Sequence, residues 1–170
     1  YYLVRLEREW LTNEEVLALT KILLESRAFK KDELSRLIDK LIMQTAANDR
    51  KTVEEIIRSE YLSYVPLQHN KPLLSPIWRL SEIIHTQKII SFLYTRQDGK
   101  TSFKTVKPVA ILFSEFYFYL IAYMADNSKD YPIVFRIDRM RDVKETGERF
   151  TIPYKDRFND GEFRKRVQFM

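Results

Sequence analysis

Two arginines and an aspartate at the end of an apolar run are the residues of this chain best suited to holding a ligand. In Phe135-Arg136-Ile137-Asp138-Arg139-Met140 the charges follow Val134-Phe135, in a run whose neighbours should be buried. Charged side chains stay at the surface unless they are paired. Arginine presents a planar fork that engages carboxylate or phosphate through two hydrogen bonds and stacks on aromatic faces. Arg136 and Arg139 are therefore either held by Asp138 and nearby acids or placed to receive an anion.

Other chemistries find little support. His69 reads as a loop residue and His85 as a helix end, with no cysteine and no carboxylates at metal-ligand spacing, so neither a metal nor a cofactor is expected. With only Gly99, Gly147 and Gly161, no glycine-rich phosphate loop can form. Ser91 and His85 read as a strand serine and a helix-end histidine, without the third group a nucleophile needs. The acid pairs Glu14-Glu15 and Glu54-Glu55 sit at helix starts, where they favour the helix dipole. The expectation is a binding protein, not an enzyme.

Net charge is +5 and unevenly spread. Residues 1–80 carry 13 Lys/Arg against 12 Asp/Glu and are neutral as a block. Residues 88–107 carry Lys88, Arg96, Lys100, Lys104 and Lys107 against Asp98 alone, and residues 149–170 carry six basic residues against three acids. Such patches steer anionic partners, although a solvated surface has the same composition.

The elements that position these groups divide the chain in two. With 45% apolar and 14% aromatic residues, 170 residues suit one or two small globular domains. No apolar run approaches the ~20 residues of a spanning helix, nothing reads as a signal peptide, and no disulfide framework is possible, so a cytoplasmic protein without membrane contact is expected. The chain starts at Tyr1 and stops at Met170 without a closing signal, as expected for a piece of a longer polypeptide.

Thr12 with Glu15 forms a capping box before Val16, Leu17, Thr20, Ile22, Leu23 and Leu24. Leu34, Leu37, Ile38, Leu41 and Ile42 make one helical apolar stripe. A short third helix over 51–58 is expected to face Ile56 and Ile57 inward, and 61–67 to be extended. A fourth helix is expected to use Ser75 as cap and Pro76 as first residue, with Ile77, Leu80, Ile83 and Ile84 on its buried face.

From Lys88 the period becomes two. Lys88–Arg96 and Thr101–Lys107 flank Asp98-Gly99, a strong hairpin signal; a two-residue loop there sets Tyr94 opposite Phe103 and Phe92 opposite Thr105, on the side of Lys107 and Arg96. Runs at 109–113, 116–123, 131–137 and 142–146 follow, with turns at Ser114-Glu115 and Asp126–Asp130. The expected class is α+β: a helical segment, then five short antiparallel strands closed into a small barrel that leaves no exposed edge.

Ile89-Ile90-Ser91-Phe92-Leu93-Tyr94, Gly99, Val106-Lys107-Pro108, Phe118-Tyr119-Leu120 and Phe135-Arg136-Ile137-Asp138-Arg139-Met140 together resemble the WYL domain in order and spacing. Phe118 stands where the family's name-giving triplet has tryptophan, which removes the indole donor. The likeness covers about residues 75–148, and Leu3–Arg58 is similar to the linker that joins a winged helix-turn-helix to such domains in bacterial regulators. It implies domains at 1–72 (helical linker or dimerisation region), 73–148 (WYL) and 149–170 (start of a C-terminal extension, seen in Phe158–Met170).

It implies an Sm-like, SH3-type barrel that senses a nucleotide or single-stranded nucleic acid in a basic cleft. Carried over, that cleft uses Arg136, Arg139, Tyr94, Arg96, Lys107 and Tyr119. Tyr94, Phe103, Tyr117, Tyr119 and Tyr123 are candidate rings for stacking on bases, although most of them also suit a barrel core. The implied partners are an anionic ligand, DNA through a helix-turn-helix before Tyr1, and a second copy in a homodimer, which the stripe at 34–42 supports. A stand-alone Sm-like RNA-binding module and a structural dimerisation segment are the competing readings.

Overall fold

A computed structural model describes residues 11–151. These form four helices, then five strands and one 3-10 turn, an α+β arrangement that separates into two compact units at Pro72/Leu73. Residues 1–10 and 152–170 lie outside the described residues, and with them the start of the linker likeness and the Phe158–Met170 extension.

The first unit holds α1 (Asn13–Ser26), α2 (Lys31–Ile42) and α3 (Arg50–Leu62). The capping box is present: the Glu15 N–H donates to Thr12 Oγ1 at 3.2 Å and the Thr12 N–H to Glu15 Oε2 at 2.8 Å. Val16, Thr20 and Leu24 of α1 pack with Leu34, Ile38 and Ile42 of α2 and with Val53 and Ile57 of α3 as the buried positions. Each large apolar side chain buried in this way contributes about 1.5–3 kcal/mol. Two expectations change here. Ile57 is buried at 2% exposure but Ile56 is 52% exposed, because the inward face of α3 pairs Ile57 with Val53 one turn earlier. The α2 stripe is used inside the unit, so it leaves little for self-association.

The second unit starts with α4 (Leu74–His85), whose Leu80 and Ile83 are buried. Leu73 precedes the first turn, so Ser75 lies within the helix and does not cap it. The strands are β1 (Lys88–Thr95), β2 (Thr101–Ser114), β3 (Tyr117–Met124), β4 (Ile133–Arg136) and β5 (Met140–Arg149), antiparallel in the order β4-β3-β2-β1-β5. Helix α4 packs against β2 and β1.

The β1–β2 hairpin is offset by one residue from the expected register. Its loop has three residues: the Arg96 N–H donates to the Lys100 carbonyl and the Gly99 N–H to the Arg96 carbonyl, with Gly99 at φ +80°. A type I turn closed by a left-handed glycine has this form, and it shifts the pairing relative to a two-residue loop. Leu93 consequently faces Phe103, Tyr94 faces Ser102, and Phe92 faces Lys104. A one-residue slip moves a strand's side chains to the opposite face. Phe92 is fully buried while Phe103 is 66% exposed, so Phe103 is no core partner of Tyr94, and Lys107 sits on the face opposite Phe92.

Strand β2 runs unbroken through Pro108, where the sequence suggested a break. An irregularity between Pro108 and Ala110 accommodates the missing N–H, as proline in a sheet requires. The β2–β3 turn places Glu115 (φ 46°) and Phe116 (φ 72°) between the paired Ser114 and Tyr117. This two-residue turn of the primed kind puts Tyr117 in the ladder.

Among the described residues the ladder is not closed: β4 pairs with β3 and β5 with β1 but not with each other, so the closed barrel is not confirmed. The sheet is nevertheless strongly curled. Laid flat, its outer strands would stand about 19 Å apart, yet β4 and β5 are joined by the 3-10 turn Ile137–Arg139 alone, which reaches roughly 8 Å. Curling brings Phe92, Tyr94 and Phe135 together edge-on, with Phe92–Phe135 centroids 5.3 Å and Tyr94–Phe135 centroids 5.1 Å apart.

Candidate anion site at the 3-10 corner

The site lies where β4 turns into β5. Arg136 ends β4 opposite Tyr119 of β3. Its guanidinium donates from Nε to Asp138 Oδ1 at 3.0 Å and from Nη2 to Asp138 Oδ2 at 2.8 Å. The Asp138 side chain is 5% exposed and that of Arg136 19%. The 3-10 turn makes this possible: two residues after Arg136, it folds the carboxylate back alongside the guanidinium.

The aromatic residues complete the setting. Tyr117, two residues before Tyr119 on the same face of β3, lies beneath the guanidinium with its ring centroid 3.5 Å from Cζ. Tyr117 and Tyr119 meet edge-on at 6.4 Å. The Arg136 backbone N–H donates to the Tyr94 hydroxyl at 3.2 Å. This bond ties the ring of a β1 residue to the end of β4.

Burial alone would lower the Arg136 pKa, but the hydrogen bond and charge of Asp138 outweigh it and the net shift is upward. Arg136 therefore stays protonated. Burial raises the Tyr119 hydroxyl above its ordinary value, against the opposing pull of Arg136, so Tyr119 is neutral at physiological pH.

The six residues expected in one cleft are distributed unevenly. Arg136, Tyr119 and Tyr94 meet at the corner, and Arg139 belongs to the same 3-10 turn. Among the described residues the Arg139 side chain has no hydrogen bond or ion pair. Tyr94 pairs with Met140, so β1 continues past the corner to the exposed Arg96, which lies in the hairpin turn. Lys107 is elsewhere. It pairs with Tyr123, about 14 Å along β3 from Tyr119, and its Nζ donates to Asn127 Oδ1 at 2.8 Å. There it lines an open groove of about 730 Å3 with Tyr123, Lys129, Asp130, Glu148 and Arg149.

One contributor, Tyr117, is not among the six expected residues. Tyr117 was visible only as one candidate ring among several, although its i, i+2 spacing from Tyr119 puts both on one strand face. Among the described residues no group of His, Asp or Glu is arranged to hold a metal ion, and no helix is long and apolar enough to cross a membrane.

Comparison with known protein families matches residues 77–145 to the WYL domain. The chain contains a WYL domain. The match runs from within α4 through most of β5 and includes the whole corner. No curated protein matches the chain. Among solved structures the chain is similar to Proteasome accessory factor B/C (PafBC) of Arthrobacter aurescens, with TM-score 0.41 and 16% identity, over 83% of this chain and 21% of that one. The chain thus spans about a fifth of that structure's length.

Proposed function

We propose that this chain is the effector-binding part of a cytoplasmic bacterial transcription regulator, and that its WYL domain takes a nucleotide or single-stranded nucleic acid at the 3-10 corner. The observation that carries this reading is the state of Arg136. It is held on one edge by Asp138 and on one face by Tyr117, while Nη1 has no hydrogen-bond partner among the described residues. Arg139 beside it adds a cation without a side-chain partner there, and Tyr119 and Tyr94 supply rings. Single-stranded nucleic acids are bound by this combination of basic groups tracking phosphates and aromatic faces stacking on bases.

On this reading the protein binds and does not catalyse, and it needs no cofactor. DNA contact belongs to a helix-turn-helix outside the chain, and the ligand acts by favouring one of two states for which it has different affinity. The curl of the sheet, which sets the ends of β4 and β5 one short turn apart, supports the reading as an Sm-like barrel. A homodimer is the proposed assembly. Exposed Ile22 of α1 and Ile56 and Leu62 of α3 support it in place of the α2 stripe. Light scattering across a dilution series tests it, and a monomer at all concentrations refutes it.

Titration of the chain with single-stranded oligonucleotides and with mononucleotides tests the central reading. Salt-dependent binding that Arg136→Ala or Arg139→Ala weakens by roughly tenfold is expected. Absence of binding, or binding indifferent to both substitutions, refutes it.

A further inference from the structure

The Arg136–Asp138 pair is more specific than charge neutralisation requires. A guanidinium has two edges able to make paired hydrogen bonds: a side edge formed by Nε and Nη2, and an end edge formed by Nη1 and Nη2. Asp138 takes the side edge with both of its oxygens. Tyr117 covers one face, and the Tyr94 hydroxyl holds the backbone amide from which the side chain springs. Among the described residues the end edge and the second face remain open, and their direction is set by a carboxylate that is itself almost fully buried.

We propose that Asp138 is a positioning residue. It turns Arg136 from a mobile counter-charge into a fixed hydrogen-bonding edge for the phosphodiester oxygens of a bound single strand, and leaves net positive charge to Arg139. The inference rests on the nucleic-acid reading of the site. Its physical content is a division of labour. A guanidinium already paired with a carboxylate contributes little net charge, so phosphate binding at its end edge releases few counterions. An arginine without a partner releases them in full. Arg136 therefore supplies geometry and Arg139 supplies salt dependence.

The competing account makes Asp138 a rival of the phosphate for Arg136. The two differ in sign. Anisotropy of a labelled single-stranded oligothymidylate, titrated with the full chain between about 50 and 300 mM salt, separates them. Arg139→Ala is expected to flatten the slope of log K against log salt by about 0.7, whereas Arg136→Ala weakens binding with a smaller change in slope. Asp138→Asn keeps the side-chain volume and one acceptor oxygen but removes the charge. It is expected to steepen the slope by about 0.7 and to weaken binding about twofold at the high-salt end, so that its line crosses that of the wild type within the titrated range.

Adding Arg136→Ala to Asp138→Asn should then cost less affinity than Arg136→Ala costs alone, since the aim is already lost. Tighter binding by Asp138→Asn at every salt concentration overturns the proposal and leaves the nucleic-acid reading standing. No binding by the wild-type chain ends both. If circular dichroism shows that Asp138→Asn does not fold, Arg136→Lys decides. A lysine keeps the charge without the fork, so a loss of roughly tenfold at an unchanged slope is expected, and unchanged affinity overturns the proposal.

Discussion

The 3-10 corner and the Lys107 groove are both basic, both tyrosine-lined, and both built on β3, yet they differ in how their cations are held. At the corner, Arg136 is locked by a buried carboxylate, a stacked ring and a hydroxyl on its backbone. In the groove, Lys107 makes one exposed hydrogen bond to Asn127, and Asp130 and Glu148 stand among the cations. A lysine of that kind is hydrated and free to move, and surface pairing gives it little energy. Positive charge occurs in both places; only the corner converts it into direction. A patch of basic residues in a sequence is thus a weak marker of a site until something fixes them.

Substitutions can break this contrast. The largest effect is expected at Asp138→Ala, which leaves a mostly buried guanidinium without its carboxylate. A loss of about 2–4 kcal/mol in urea unfolding is expected, against about 0.5 kcal/mol or less for Lys107→Ala. Equal effects would erase the distinction between the two regions. Tyr94→Phe keeps the ring packing against Phe92 and Phe135 but removes the acceptor for the Arg136 N–H. It should cost about 1 kcal/mol, with faster amide exchange at Arg136 as the local signature.

A smaller effect sharpens the comparison through pH. Because the folded-state pKa of Tyr119 is raised by burial, the folded chain holds the hydroxyl proton more tightly than the unfolded one. Its contribution is complete below the ordinary tyrosine value of 10.0 and is lost as pH rises above it. Unfolding followed between neutral pH and strongly alkaline pH should show this decline, and Tyr119→Phe should reduce it; an identical profile for the variant removes Tyr119 from the buried part of the corner.

Much of the local structure was legible without coordinates. The Thr12/Glu15 capping box, the α2 stripe and the order of five strands follow from periodicity and turn chemistry, which act within a few residues. The misplaced features share one cause. Ile56 and Ile57 are adjacent and equally apolar, so only packing against α1 and α2 selects Ile57. The Asp98-Gly99 signal marks a hairpin but does not separate a two-residue from a three-residue loop, and that single residue moves Phe103 to the exposed face and Lys107 away from the face of Phe92. Pro108 reads as a break, yet an irregular pairing with β3 carries β2 through it.

The anion site divides along the same line. Arg136, Asp138 and Arg139 stand within four residues of one another, and their types alone establish a charged cluster capable of either pairing internally or binding an anion. What the chain does with it depends on a 3-10 turn that swings Asp138 onto the side edge of Arg136 and on two groups far apart in sequence, Tyr117 beneath the guanidinium and Tyr94 on its amide. Residue types set the available hydrogen bonds and charges, which are local properties. The turn and Asp138 leave the end edge of Arg136 open, and the curl of the sheet decides what surrounds it, because that curl brings β1, β3 and β4 to one corner.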